Sequence, residues 1–171
     1  MDGQTYICLM KRIGLLSDTH NHLDDAIFRH FEQCDEIWHA GDIGSIGIVQ
    51  QLLAFKPFRA VHGNIDGYDV SSIYPESLRF TCEESEVFIT HIGGYPGRYE
   101  KKVKDAFSEK PFQLFISGHS HILKVMFDEK WQCLHINPGA AGKQGWHKVK
   151  TLIRFTAEGK HFKDLEVIEI A

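Results

Sequence analysis

Five short stretches of the 171-residue chain each place oxygen or nitrogen donors directly after an apolar run. Asp18 and His20 follow "IGLLS", Asp42 follows "IWHAG", Asn64 and Asp66 follow "AVHG", His91 follows "VFIT", and His119 and His121 follow "FISG". Carboxylate, imidazole and amide side chains are the donors that divalent cations take when they bind through oxygen and nitrogen. From Asp18 the successive steps to Asp42, Asn64, His91 and His119 are 24, 22, 27 and 28 residues, each about the length of one strand and its return connection. A chain returning at that interval delivers donor after donor to one edge of a sheet. In open α/β sheets the carboxyl edge of the strands is where sites are built, so five distant segments are expected to meet in one pocket.

No single motif carries this reading. With 11 histidines and as many aspartates, a D-x-H triplet arises by chance about 0.7 times in such a chain. "GN" also serves as a plain turn, and a histidine at a strand end as a polar cap. Chance does not supply all five in order, each at a strand end and each with ligand-type residues.

The elements that must position these residues are legible from hydrophobic period. "RIGLLS" is a short apolar run, and in the following "LDDAIFRHF" Leu23, Ile27 and Phe31 recur at helical spacing. The alternation repeats with "EIWHAG" before "IGIVQQLLAF" and again with "FRAVHGN", which argues for an α/β sheet. In the second half, "SLRFTCEESEVFITH" and "LKVMFDEKWQCLHI" read as hairpins, and a helix is expected from Tyr99 to Glu109 before Pro111. The segment "KTLIRFTAEGKHFKDLEVIEI" reads as one more hairpin, turning at Glu158-Gly159. Residues 10–171 are expected to form a single domain, and residues 1–9 an N-terminal extension that is disordered or peripheral.

Composition narrows the function classes. A formal charge of -4 without a Lys/Arg block disfavours nucleic-acid binding. Cys8, Cys34, Cys82 and Cys133 are far apart with no C-x-x-C pair, as expected of reduced thiols in the cytoplasm. No segment approaches the length of a membrane span.

D-x-H at 18–20, G-D at 41–42, G-N-x-D at 63–66, the strand-end His91 and G-H-S-H at 118–121 together resemble the calcineurin-like metallophosphoesterases. Short length, the "GNID" form and "INPGA" resemble its small bacterial and archaeal phosphodiesterase branch. The resemblance implies a four-layer α/β/β/α sandwich of two mixed sheets flanked by helices, with two divalent metal ions at the carboxyl edge. It assigns Asp18, His20, Asp42 and His121 to one ion and Asp42, Asn64, His91 and His119 to the other. Asp42 bridges, and Asp42, Asn64 and His121 are the residues expected to act in catalysis. An extended 18–20 segment, with i and i+2 on one side about 6.5 Å apart, is expected to close Asp18 and His20 on one ion. The nucleophile implied is a hydroxide shared by the two ions.

Two divalent ions bring four positive charges and Asp18 and Asp42 return two negative ones, so the site suits an anionic phosphoester. A nitrogen and oxygen shell without thiolate favours manganese, iron, cobalt, nickel or zinc over calcium; manganese is the ion expected, with iron, nickel, zinc or cobalt as alternatives. Where many relatives carry G-N-H-E, this chain has Ile65 and Asp66. Without that histidine the leaving oxygen lacks a cationic partner, which predicts modest turnover and a preference for good leaving groups. Asp66 is expected to anchor a ligand from behind. His22 is the strongest of several nearby histidines for a supporting or substrate role, and Arg98 in the expected flexible loop "GGYPGRY" is a candidate for a phosphate oxygen. The expected activity is hydrolysis of small phosphodiesters, with monoesters open. The alternative is a protein-binding scaffold on the same fold, as in the retromer subunit that resembles it but has lost the first-motif histidine, which here is present as His20. A dimer or tetramer is implied only by resemblance.

Overall fold

The computed structural model describes residues 10–170; the expected extension at 1–9 lies outside the described residues. Strand β1 (Met10–Leu16) leads to α1 (Asp25–Phe31), β2 (Glu36–His39), α2 (Ile46–Phe55), β3 (Phe58–Ala60) and the short helix α3 (Tyr68–Ser71). Next come β4 (Ser77–Cys82), β5 (Ser85–Thr90), the ribbon of β6 (Gly94–Tyr95) and β7 (Arg98–Tyr99), α4 (Lys101–Glu109) and β8 (Leu114–Ile116). The hairpins β9 (Lys124–Asp128) with β10 (Cys133–Asn137) and β11 (Lys150–Glu158) with β12 (His161–Ile170) follow.

The strands form two five-stranded mixed sheets, in the orders β12-β11-β1-β2-β3 and β4-β5-β8-β10-β9. In the first, β1, β2 and β3 run parallel; in the second, β5, β8 and β10 do. Parallel strands at a sheet centre are covered on both faces, and alternate residues here serve two different cores. On β2, Ile37 faces α1 and α2 while Trp38 faces the other sheet; on β1, Leu16 joins the helix side and Ile13 and Leu15 the sheet–sheet core. A third core of Phe107, Phe112 and Phe115 lies between α4 and the second sheet. The layers therefore run α/β/β/α. Truncating a fully buried ring such as Trp38 or Phe31 costs about 3–5 kcal/mol.

The helix expected from Tyr99 to Glu109 instead begins at Lys101, because Tyr99 pairs with Gly94 in the β6–β7 ribbon, while α1 begins at its cap. Asp24 caps α1 by accepting from the Ala26 amide at 3.0 Å, and Lys150 on β11 reaches the same carboxylate at 2.8 Å. The expected flexible loop at 93–99 is instead partly ordered as the β6–β7 ribbon. Pro96-Gly97 makes its turn, with Gly97 at φ +89° supplying the positive φ that proline-glycine turns use. Among the described residues no helix is long and apolar enough to cross a membrane.

Candidate metal centre

Each candidate donor sits just past the carboxyl end of a strand: Asp18 and His20 after β1, Asp42 after β2, Asn64 after β3, His91 after β5, and His119 and His121 after β8. Backbone bonds zip the first two loops together. Asp18 N–H donates to the Gly41 carbonyl, His20 N–H to that of Asp42 and Asn21 N–H to that of Ile43, each at 3.0 Å. Asp18, His20, Asp42, His119 and His121 have φ of 54°, 46°, 55°, 67° and 56°. Residues other than glycine seldom enter this left-handed region, and such strain collects at functional sites. The expectation that 18–20 runs extended is therefore corrected: the ladder to 41–43 holds both Asp18 and His20 in left-handed turns, and those turns aim their side chains.

Two groups of three donors result, Asp18/His20/His121 and Asp42/His91/His119, the donor atoms of each lying within 4.8 Å of one another. In the first, His121 Nε2 is 3.1 Å from Asp18 Oδ1 and 3.2 Å from His20 Nε2. In the second, His91 Nε2 is 3.2 Å from Asp42 Oδ2, and the rings of His91 and His119 meet edge-on at 5.3 Å. The groups adjoin. Asp42 Oδ2 is also 3.7 Å from His20 Nε2, so one oxygen faces both groups while Oδ1 accepts the Ile65 amide at 3.1 Å.

These residues fit metal ions. His91 Nδ1 lies 2.7 Å from the Ala40 carbonyl; that oxygen only accepts, so Nδ1 carries the proton and Nε2 presents a lone pair. Both His91 Nε2 and Asp18 Oδ1 are buried without a hydrogen-bond partner, 3.9 Å apart. A lone pair buried against a carboxylate oxygen is costly unless a cation lies between them. Nitrogen and oxygen ligands about 2.0–2.2 Å from a shared ion stand about 3–3.5 Å from each other, close to the separations of His121 from Asp18 (3.1 Å) and His20 (3.2 Å) and of His91 from Asp42 (3.2 Å).

Charge around the donors follows the same logic. Burial pushes the Asp42 pKa up, but the carboxylate still ends below its ordinary value, held there by His91 and the Ile65 amide. Burial pulls His91 down and is outweighed by Asp42 and Asp18, leaving it raised. Asp18 raises His121 against burial, whereas burial wins at His20 and lowers it.

Supporting contacts come partly from residues the motifs do not name. Asp66 accepts from the amides of Gly63 and Gly44 at 2.7 Å and of Ile43 at 3.2 Å, tying the loops after β2 and β3. It anchors backbone, not an imidazole. Asn137 donates to the Gly118 carbonyl at 2.8 Å and to Ser120 Oγ at 3.1 Å, which makes the "NPG" turn the brace of the 118–121 loop. Fully buried His39 accepts the Gly41 amide at Nδ1 (3.1 Å), so its Nε2–H donates to Thr19 Oγ1 (3.0 Å), and Thr19 donates to the Ile43 carbonyl (2.9 Å). A histidine inside the apolar run "IWHA" was the available sign of this link; Thr19 carried none.

The remaining candidates are less central. Asn64 is exposed, flanked by Gly63 and Ile65, which both touch Asp42. His22 belongs to neither donor group; its pKa is lowered by burial and then by Lys143 and Lys150. Arg98 stands exposed on β7, and the ribbon meets the region of His119 through Gly94 and Tyr95 instead.

Adjoining carboxylate and histidine groups at the carboxyl edges of two stacked mixed sheets form a candidate centre for divalent ions. Residues 10–160 match the calcineurin-like phosphoesterase superfamily domain, and the chain belongs to that family. It is 31% identical over 134 residues to a probable metallophosphoesterase of Methanothermobacter thermautotrophicus, covering 75% of this chain and 76% of that protein. A phosphodiesterase of Methanocaldococcus jannaschii is 26% identical over 145 residues, covering 75% and 82%. In fold the chain is similar to vacuolar protein sorting 29 of Cryptosporidium parvum, with a TM-score of 0.72 at 15% identity over 95% of this chain and 98% of that one.

Proposed function

We propose that the protein hydrolyses small phosphodiesters at a site holding two divalent ions, manganese first among them. The observation that carries this reading is Asp42 Oδ2, which faces His20 of one donor group and His91 of the other. Asp18, His20, Asp42 and His121 would hold one ion, and Asp42, Asn64, His91 and His119 the other. When bound, such a pair supplies Lewis acidity toward phosphoryl oxygens and a water acidic enough to ionise near neutral pH.

The chain's own residues supply position and charge. The Ala40 carbonyl keeps the proton on His91 Nδ1 and so leaves Nε2 free to bind. Asp66 and Asn137 hold the loops that carry Asp42 and His119. Exposed Asn64 and His119 mark the solvent side, where an ester enters. Ile65, 45% exposed beside Asn64, offers no proton to a leaving oxygen, so water or another group must supply it and good leaving groups are favoured. Buried, unpaired Cys34, Cys82 and Cys133 suit a reducing cytoplasm.

The test is hydrolysis of bis(p-nitrophenyl) phosphate by chelator-treated protein with Mn²⁺, Ni²⁺, Zn²⁺ or Mg²⁺ restored. Turnover should depend on metal and fall by at least about 10²-fold in Asp42→Ala. Tight metal binding with no turnover of mono- or diesters would instead favour the scaffold reading.

A further inference from the structure

We propose that loop 142–149 is a nucleobase subsite, in which the indole of Trp146 stacks on the base of a nucleotide ester whose phosphate sits at the metal centre. This deepens the phosphoesterase reading above and rests on it.

Trp146 is 102% exposed, whereas Trp38 is fully buried in the core. An indole carries about 150–250 Å² of contact surface, and at this position none of it stabilises the fold. Yet the loop that presents it is fastened to the candidate ligands. Gly142 N–H donates to the Asp18 carbonyl at 3.0 Å. His147 places Nε2 2.9 Å from the Gly142 carbonyl and packs its ring edge-on against His121 at 5.2 Å. Gly145, at φ +120°, approaches so closely that a Cβ there would lie 2.3 Å from His121 Nδ1. Both neighbours of Trp146 therefore rest on one candidate ligand, and the indole is held beside the site.

Between them lies a cavity of about 500 Å³ lined by His119, His121, Ile122, Gly145 and Trp146. Two of its walls are donors of the metal centre, so the group that fills it is one joined to the phosphate. Its other walls are Ser120, Gly145, His147, the indole and the side chain of Ile122, itself 63% exposed. A flat aromatic face beside an apolar side chain recognises a π-face and takes bases with little sequence preference. Lys143 and Lys148, exposed on the same loop, add positive charge toward an anionic nucleotide. An aliphatic ester group would gain contact area here but no stacking.

The probes are AMP and ribose 5-phosphate, which share phosphate and sugar and differ by the base. Their binding to the Mn²⁺-restored full chain is measured by calorimetry and by tryptophan fluorescence, for wild type, Trp146→Ala and Trp146→Phe. Wild type should bind AMP at least about fivefold more tightly than ribose 5-phosphate, the low end of base–aromatic stacking. Trp146→Ala should bring AMP down to the affinity of ribose 5-phosphate and lose the fluorescence quench, while Trp146→Phe keeps part of the preference. Equal affinities in wild type, or a preference that survives Trp146→Ala, would overturn the subsite. If bis(p-nitrophenyl) phosphate is still hydrolysed in a metal-dependent way, only the subsite falls. Failure to bind either compound together with no turnover removes both readings. Weaker self-association of Trp146→Ala with no base preference would assign the indole to contact between copies and also overturn the subsite.

Discussion

Thr19 and His39 show what a single hydroxyl does in this molecule. His39 is completely buried and its Nε2–H has one acceptor, Thr19 Oγ1, which in turn donates to Ile43. Thr19→Val keeps the shape and removes both bonds. Because a buried donor left unsatisfied costs about 1–3 kcal/mol, the variant should lose about that much stability in urea unfolding, and metal affinity should weaken as the loops after β1 and β2 part. Unchanged stability would mean the chain of bonds is idle. At this scale the sequence was informative about donor type and silent about backbone. Asp18, His20, Asp42, His91, His119 and His121 were all readable as donors, but the left-handed φ values of five of them were not, and Asp18, His20 and Asp42 among these are joined by bonds between loops distant in sequence. Asn137 was readable only as a turn, since its acceptors on Gly118 and Ser120 follow the neighbouring strand β8, distant in sequence.

Among the elements, the loops after β2 and β3 meet through a glycine. A Cβ on Gly63 would lie 2.0 Å from Asp42 Oδ1 and 2.3 Å from the Asp42 amide nitrogen, so Gly63→Ala must displace the carboxylate that faces both donor groups. Misplacement of a reacting geometry by about 1 Å costs about 10²-fold in rate, and turnover by Gly63→Ala should fall by about that factor. Gly97→Ala is the control: a Cβ there has nothing within 4 Å and meets only the positive φ of the ribbon turn. It should lower the melting temperature slightly and leave turnover intact; equal effects of the two substitutions would contradict the account. Most elements were legible because apolar runs of four to ten residues declare their period. The ribbon of β6 and β7, with two residues in each strand, and the four-residue α3 are too short to show any period.

For the molecule as a whole, buried imidazoles set the response to acid. Burial lowers His39 and His135 from 6.5 to about 4. Between those values these two sites bind fewer protons in the folded chain than in the unfolded one, so their contribution is complete above pH 6.5 and is lost as pH drops toward 4. His91 and His121, whose pKa values are raised, contribute with the opposite sign. His39 and His135 each contribute about 3 kcal/mol over that window. The urea midpoint of chelator-treated protein should therefore fall between pH 7 and pH 4.5, and His135→Phe, which keeps the stack on Phe115, should reduce the drop. An equally steep loss in that variant would assign the acid sensitivity elsewhere. The four layers could be anticipated only by resemblance, because strand order in two stacked sheets depends on packing between residues far apart, such as Trp38 with Phe80 and Phe155.

The central claim is that the chain holds two ions between neighbouring donor groups joined by Asp42. The most direct measurement is metal stoichiometry, by calorimetric titration of chelator-treated protein with Mn²⁺ and by elemental analysis after dialysis. Wild type should take two equivalents per chain, with His121→Ala and His119→Ala each weakening one of the two. A single equivalent in wild type, or binding unaffected by both substitutions, would contradict the account.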